Sequence, residues 1–186
     1  MAPSRCVGAC FNSRTLGACR APAGVLLPTV YVLMGPPGSG KTTWRTAFLA
    51  RRDGQAIAVS RDDVVEAVAK AEGVSYREAW RSFARPIDKE YRRRLTDAFT
   101  HGLDVVVDAT NVTPKARRRI LSRVPKGWER VGVLFDAPDE VLVRRLMDRA
   151  AAGGTVVPPW LVAKMRADWV PPAPGEFDRI ETVYSQ

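Results

Sequence analysis

The residues with the clearest chemical potential form a short glycine-rich run. Positions 35–42 read Gly-Pro-Pro-Gly-Ser-Gly-Lys-Thr, which matches the phosphate-loop spacing G-x-x-x-x-G-K-[ST] at every fixed position. In such a loop, backbone N–H groups and the start of the following helix bind phosphate oxygens. We expect ATP or GTP to bind Gly35, Pro36, Pro37, Gly38, Ser39, Gly40, Lys41, Thr42 and Thr43. Lys41 would reach the β and γ phosphates, and the Thr42 hydroxyl would hold Mg²⁺.

Two aspartates follow apolar runs that have the pattern of buried strands. Asp62 comes just after residues 56–60, within Ser-Arg-Asp-Asp, and Asp108 closes residues 103–108. The carboxyl ends of parallel strands face the ligand crevice of an open sheet, so Arg61, Asp62 and Asp63 should face the transferred phosphate. Asp108 resembles a Walker B terminus in position and is a second candidate Mg²⁺ ligand. The alternative for Asp62, or for Asp63, is that it only caps the helix that follows.

The residues around Asp108 also limit the class of reaction. No glutamate follows Asp108, and the chain has no Asn-Lys-x-Asp element. Hydrolytic NTPases orient water with a carboxylate or a glutamine, whereas a kinase excludes water from the site. The sequence therefore favours phosphoryl transfer to a hydroxyl over a GTPase or a ring-forming ATPase. A nucleotide-dependent nucleic-acid-binding module that transfers nothing is the alternative from another class.

Arginines are concentrated in three later helices. Arg145 and Arg149 are four residues apart, so they share a helix face, and they precede the small-residue run 150–154. This arrangement predicts a small lid that closes over ATP, although cations at a helix end also complement the helix dipole. Exposed surface is the default prediction for residues 92–94, whereas the basic run 115–119 could equally face nucleic acid or solvent.

The elements that must position these residues alternate between strand and helix. Apolar runs predict strands at 29–34, 56–60, 103–108, 129–135 and 177–184. Helical patterns predict helices at 43–50, 64–71, 75–85, 87–100, 114–123, 138–149 and 160–169, with a break at Pro86. We expect one α/β domain over residues 29–186, with the P-loop NTPase fold: a parallel sheet of four to five strands, helices on both faces and a small lid.

Composition narrows the partners. The 186 residues, 46% hydrophobic, suffice for one core, and the formal charge of +9 indicates an anionic partner. No run of about 20 apolar residues occurs, so we expect no membrane span. Cys6, Cys10 and Cys19 lie in residues 1–28, which we predict to be a disordered or loosely attached leader, and reduced thiols fit a cytoplasmic protein. Zinc is not expected, because the single histidine, His101, is far along the chain.

Taken in order, these motifs resemble the kinase domain of the bacteriophage-type polynucleotide kinases. The resemblance covers residues 29–184 and includes the phosphate loop, the Asp62 motif, Asp108-Ala109-Thr110-Asn111 with Pro114, and the two arginines before Val157-Pro158. It implies a Mg²⁺-dependent kinase that acts on the 5′-hydroxyl of DNA or RNA. By the same resemblance, Asp62 is the general base, Lys41 and Thr42 serve ATP and Mg²⁺, Asp108 organises the site, and Arg145 and Arg149 neutralise the transferring charge.

Two departures from this family concern the substrate. Val65 stands where the polynucleotide kinases have an arginine that clamps the acceptor's 3′-phosphate. Arg61 or one of Arg92–Arg94 could replace it, or the acceptor could be a nucleoside, a sugar or a hydroxymethylated DNA base. The chain also lacks the Asp-x-Asp-Gly-Thr phosphatase motif, so no 3′-phosphatase activity is expected.

Overall fold

The computed structural model describes residues 27–184. The three cysteines and all but the last two residues of the predicted leader lie outside this range. The strands are β1 (Thr29–Met34), β2 (Ala56–Ser60), β3 (Asp104–Asp108), β4 (Glu129–Asp136) and β5 (Arg179–Tyr184). The helices are α1 (Lys41–Arg52), α2 (Arg61–Glu72), α3 (Tyr76–Ser82), α4 (Ala84–Ala98), α5 (Pro114–Leu121), α6 (Asp139–Ala151) and α7 (Pro159–Ala167). The α/β class is confirmed.

The five strands form one parallel sheet in the order β2-β3-β1-β4-β5. The strand before the phosphate loop is therefore central, with β3 on one side and β4 on the other. Since all the strands are parallel, their carboxyl ends lie along one edge. Three features lie at this edge: the phosphate loop after β1, the aspartate that ends β3 and the start of the helix that follows β2.

Helices cover both faces of the sheet, as predicted. Val30, Val32 and Met34 point to one face, where they join a core with residues of α4 and α5. Tyr31 and Leu33 point to the opposite face and pack with Phe48 of α1. Because both faces are buried, β1 reads as a continuous apolar run rather than an alternating one.

Helices α2, α3 and α4 form a smaller core of their own beside β2. Val64, Val65, Ala79 and Ile87 are fully buried within it. The predicted break at Pro86 is displaced: α3 ends at Ser82, and α4 begins at Ala84. Proline is tolerated in a first helical turn, where the missing N–H would have no partner within the helix. Pro86 therefore lies in the first turn of α4 instead of preceding the helix.

The basic run at 115–119 behaves differently from either prediction at one position. Arg117 is fully buried, whereas Arg118 and Arg119 are exposed. Its guanidinium donates to both carboxylate oxygens of Glu176, at 2.7 and 3.1 Å, and to the carbonyls of Asn111, Val170 and Pro171. Arg117 thus fastens α5 to the segment before β5, and it cannot face nucleic acid or solvent.

Across residues 27–184, none of the helices combines the length and the apolar character that crossing a bilayer requires.

Candidate nucleotide and acceptor site

The phosphate loop is held in a shape that only glycine permits at its first position. Gly35 has φ 155°, and a Cβ there would lie 2.9 Å from Ser39 Oγ and 3.0 Å from the carbonyl of Phe135. At Gly38, φ is 81°, and a Cβ would lie 3.2 Å from Leu146 of α6. The loop therefore curls tightly against β4 and α6, and α1 begins directly after it at Lys41. This is the cradle geometry expected of a phosphate site.

The side chain of Lys41 folds back onto the phosphate loop. Its Nζ donates to the carbonyls of Gly35 and Pro36, at 2.9 and 2.7 Å, and its side chain is 9% exposed. Burial lowers the pKa of Lys41 to about 8, although the charges of Asp108 and Asp62 act in the opposite direction. An ammonium group that donates to two carbonyls of the phosphate loop is well placed to receive an anion.

The Asp-Ala-Thr-Asn motif fixes the end of β1 from the neighbouring strand. Thr110 accepts a hydrogen bond from the N–H of Gly35 at 2.9 Å, and the Asn111 amide donates to the Leu33 carbonyl at 2.8 Å. Asn111 is buried and has φ 46°, a left-handed conformation that asparagine tolerates. The last two residues of this motif thus have a structural role: their hydrogen bonds hold the start of the phosphate loop in place.

Asp62 and Asp63 both lie in the first turn of α2, but neither caps it. Ser60 is the N-cap, and its side chain accepts from the N–H of Asp63. The capping alternative for the aspartates is therefore wrong. Asp63 instead forms an ion pair with Arg45 at 3.1 Å. Asp62 Oδ1 accepts a hydrogen bond from the Tyr76 hydroxyl at 2.9 Å, and its charge also acts on Lys41.

Arg45 is a site residue that the sequence did not single out. Besides Asp63, it pairs with Asp108 Oδ2 at 3.2 Å. Asp108 is 8% exposed, and burial raises the pKa of its carboxyl, an effect that Arg45 and Lys41 oppose. Arg45 follows Lys41 by four residues, so the two share a face of α1. That spacing was the available signal for Arg45.

Helix α6 brings one predicted lid arginine onto the loop. Nη1 of Arg145 donates to the Gly38 carbonyl at 3.3 Å. Arg149 lies one turn further on, is exposed, and has a charge that acts on the Tyr76 phenol. Gly153 and Gly154 donate to the carbonyls of Ala150 and Arg149 and so fold back over the end of the helix. The two arginines thus approach the loop and Tyr76, respectively.

Val65 does not face this site. It is fully buried in the core of α2, α3 and α4. Of the arginines considered as replacements, Arg93 and Arg94 are paired with Glu90, and Arg92 donates to the Asp88 carbonyl. Arg61 is the one beside Asp62; it pairs with Asp88 at 2.6 Å, and its guanidinium lies 4.4 Å from the centre of the Trp80 ring.

The P-loop NTPase fold is defined by a glycine-rich loop that joins the central strand of a parallel sheet to a helix beginning with a lysine. A neighbouring strand of that sheet ends in an acid. This chain has both features. Residues 30–172 match the AAA_33 family, described as an AAA domain. This match spans more than half of the chain, and the chain therefore belongs to that family.

Solved structures with this fold include several described as kinases. A protein of Chloroflexus aurantiacus j-10-fl described as a kinase is 21% identical, with a TM-score of 0.66 over 87% of each chain. A chain of the Pnkp1/Rnl/Hen1 RNA repair complex is 23% identical, with a TM-score of 0.64 over 80% of this chain and 46% of that one. A gluconokinase from Sinorhizobium meliloti 1021 is 19% identical, with a TM-score of 0.54 over 85% and 83%. At these identities the likeness concerns the fold.

Proposed function

We propose that this protein is an ATP-dependent kinase that phosphorylates the 5′-hydroxyl of a polynucleotide, with Asp62 as the general base. One observation carries the proposal: Asp62 lies in the first turn of α2, at the same edge of the sheet as the phosphate loop, and its charge acts on Lys41. An alcohol placed between this carboxylate and a nucleotide in the loop would meet both reacting partners.

The residues have complementary tasks in such a transfer. Asp62 accepts the proton of the acceptor hydroxyl while the hydroxyl oxygen forms a bond to the γ-phosphorus of ATP. The bond from that phosphorus to the β–γ bridging oxygen breaks, ADP leaves with the electron pair, and the proton on Asp62 passes to solvent. Lys41, Arg145 and Arg149 supply positive charge for the phosphoryl oxygens.

The donor set is compatible with Mg²⁺ carried by a nucleotide. Among residues 27–184, no group of three or more His, Cys, Asp or Glu side chains could hold a metal ion. Mg²⁺ in such sites takes most ligands from phosphate oxygens and water, so few protein ligands are needed. The Thr42 hydroxyl and the Asp108 carboxylate would supply them, and the bound ion would neutralise charge on the phosphates.

The polynucleotide assignment rests on the resemblance described above, on the fold shared with a chain of an RNA repair complex, and on the basic composition. A small-molecule acceptor is the second candidate, because Val65 is buried where a phosphate-clamping arginine would be expected and because a gluconokinase shares the fold. Incubation with γ-labelled ATP and a panel of oligonucleotides, nucleosides, sugars and hydroxymethylated DNA separates these. Label only in a small metabolite would reject the polynucleotide.

Replacement of Asp62 by Ala or Asn tests the base. We expect turnover to fall by about 10²- to 10⁴-fold with nearly unchanged ATP affinity, because only proton transfer is removed. Asp63→Asn is the matched control, since Asp63 is engaged with Arg45, and its loss should be much smaller. Turnover by Asp62→Asn equal to that of the Asp63 variant would exclude Asp62 as the base. Initial rates and ATP titrations by calorimetry provide both readouts.

A further inference from the structure

An aromatic surface lies beside Asp62. Tyr76 and Trp80 are one turn apart on α3, and their rings are nearly parallel, with 18° between the planes and 6.4 Å between the centroids. Trp80 is 40% exposed, so part of its indole is open to solvent. We call this pair the α3 shelf.

The α3 shelf is joined directly to the candidate base. The Tyr76 hydroxyl donates to Asp62 at 2.9 Å, so the phenol spans the gap between the carboxylate and the Trp80 ring. Burial raises the pKa of Tyr76, and the charge and hydrogen bond of Asp62 raise it further. The phenol therefore remains a proton donor, and Tyr76 sets the spacing between the Asp62 carboxylate and the Trp80 ring.

Charged neighbours hold the shelf in one arrangement. Arg61 lies over the Trp80 ring at 4.4 Å, in a cation–π contact, and Asp88 holds Arg61 at 2.6 Å. The indole is therefore positioned before any ligand arrives, which reduces the entropy lost on stacking. Near the Tyr76 phenol, the positive charge of Arg149 acts alongside the negative charges of Asp62 and Glu66.

We propose that the α3 shelf binds the 5′-terminal nucleobase of the acceptor strand by stacking on Trp80. This inference rests on the proposed function and adds the subsite that recognises the acceptor. In a nucleotide, one sugar separates the 5′-oxygen from the base; here one tyrosine separates Asp62 from Trp80. A flat base gains from stacking on the part of the indole that is open to solvent, irrespective of the base's identity, so the site selects an aromatic end without reading its sequence.

The test compares two acceptors with the same 5′-hydroxyl: an oligonucleotide with a normal terminal base, and one whose terminal residue is a tetrahydrofuran abasic analogue. With the wild-type protein, we expect removal of the base to raise KM by about 5- to 150-fold, the usual range for one stacked base. The value of kcat should change little, since Asp62 and the phosphate loop are untouched.

Trp80→Ala completes the cycle. It should raise KM for the normal acceptor by a similar factor and should have little further effect on the abasic one. Trp160→Ala, which removes an indole that is 65% exposed on α7, is the matched control and should leave KM unchanged. Thermal unfolding verifies that the variants fold, and the abasic comparison on the wild-type protein needs no variant.

Equal KM values for the two acceptors with the wild-type protein, or equal losses from Trp80→Ala with both, would overturn the subsite. If Asp62→Asn still abolishes labelling of the oligonucleotide in that case, the proposed function stands without the α3 shelf. Failure of the wild-type protein to label any oligonucleotide would overturn both.

Discussion

At the residue scale, the decisive feature is the buried ammonium group of Lys41. Lys41 sits among loop carbonyls, and burial lowers its pKa to about 8. The lowered value is the reverse of the common case in which a lysine gains a carboxylate and its pKa rises. Below about pH 8 the side chain is charged and attracts phosphate; above it, the neutral form predominates and that attraction is lost.

We therefore expect ATP affinity to decline as the pH rises above about 8, by up to tenfold per pH unit where only the charged lysine binds. Near pH 8, ATP binding should also be accompanied by proton uptake, because the phosphate restores the charge on Lys41. Calorimetry in buffers with different ionisation enthalpies measures both. Lys41→Arg is the control, since its guanidinium stays charged in this range. An alkaline decline of the same size in that variant would contradict the assignment to Lys41.

At the element scale, the phosphate loop depends on a clasp far from it in sequence. Arg117 of α5 donates to the Asn111 carbonyl, and the side-chain amide of Asn111 donates to the Leu33 carbonyl at the end of β1. On its other side Arg117 reaches Glu176, whose pKa is lowered by the Arg117 hydrogen bond despite an opposing effect of burial. Val170 adds a backbone hydrogen bond to Val112. The segment before β5 thus braces the strand end from which the loop emerges.

Arg117→Ala should lower the free energy of unfolding by about 3–5 kcal/mol, because it leaves the Glu176 carboxylate, 15% exposed, without its ion-pair partner and removes a donor from three carbonyls. Its neighbour Arg118 is exposed, so Arg118→Ala is a matched control, with an expected change within about 0.5 kcal/mol. Urea unfolding of both variants provides the comparison. If the two losses were equal, the clasp would contribute nothing beyond ordinary surface packing.

At the scale of the whole molecule, strand order divides the work. The phosphate loop follows the central strand; β3 and β2 on one side deliver Asp108 and Asp62, while β4 on the other side leads into α6 with Arg145. The nucleotide would thus lie at the topological switch point, where the strand order reverses and where open parallel sheets bind ligands. The net charge of +9 favours an anionic partner.

If the acceptor is a polynucleotide, its apparent affinity should fall with salt, with a log–log slope of about −0.7 per phosphate contacted. Replacing the first phosphodiester by an uncharged methylphosphonate should make the slope less steep by about 0.7 if that phosphate is bound. Measurements of KM at salt concentrations from about 50 to about 200 mM test this salt dependence. A flat response for the unmodified strand would favour a neutral acceptor.

The sequence by itself determined the fold class, the strands and helices within a few residues, and the phosphate loop, because each depends on local patterns of spacing and apolar periodicity. It could not decide which acid would be engaged elsewhere: the ion pair of Asp63 with Arg45 and the bond of Asp62 to Tyr76 join residues from separate elements. Only the tertiary structure showed that Val65 and Arg117 are buried. Burial is set by what packs against a helix face, and an arginine looks the same in sequence whether carbonyls or water surround it.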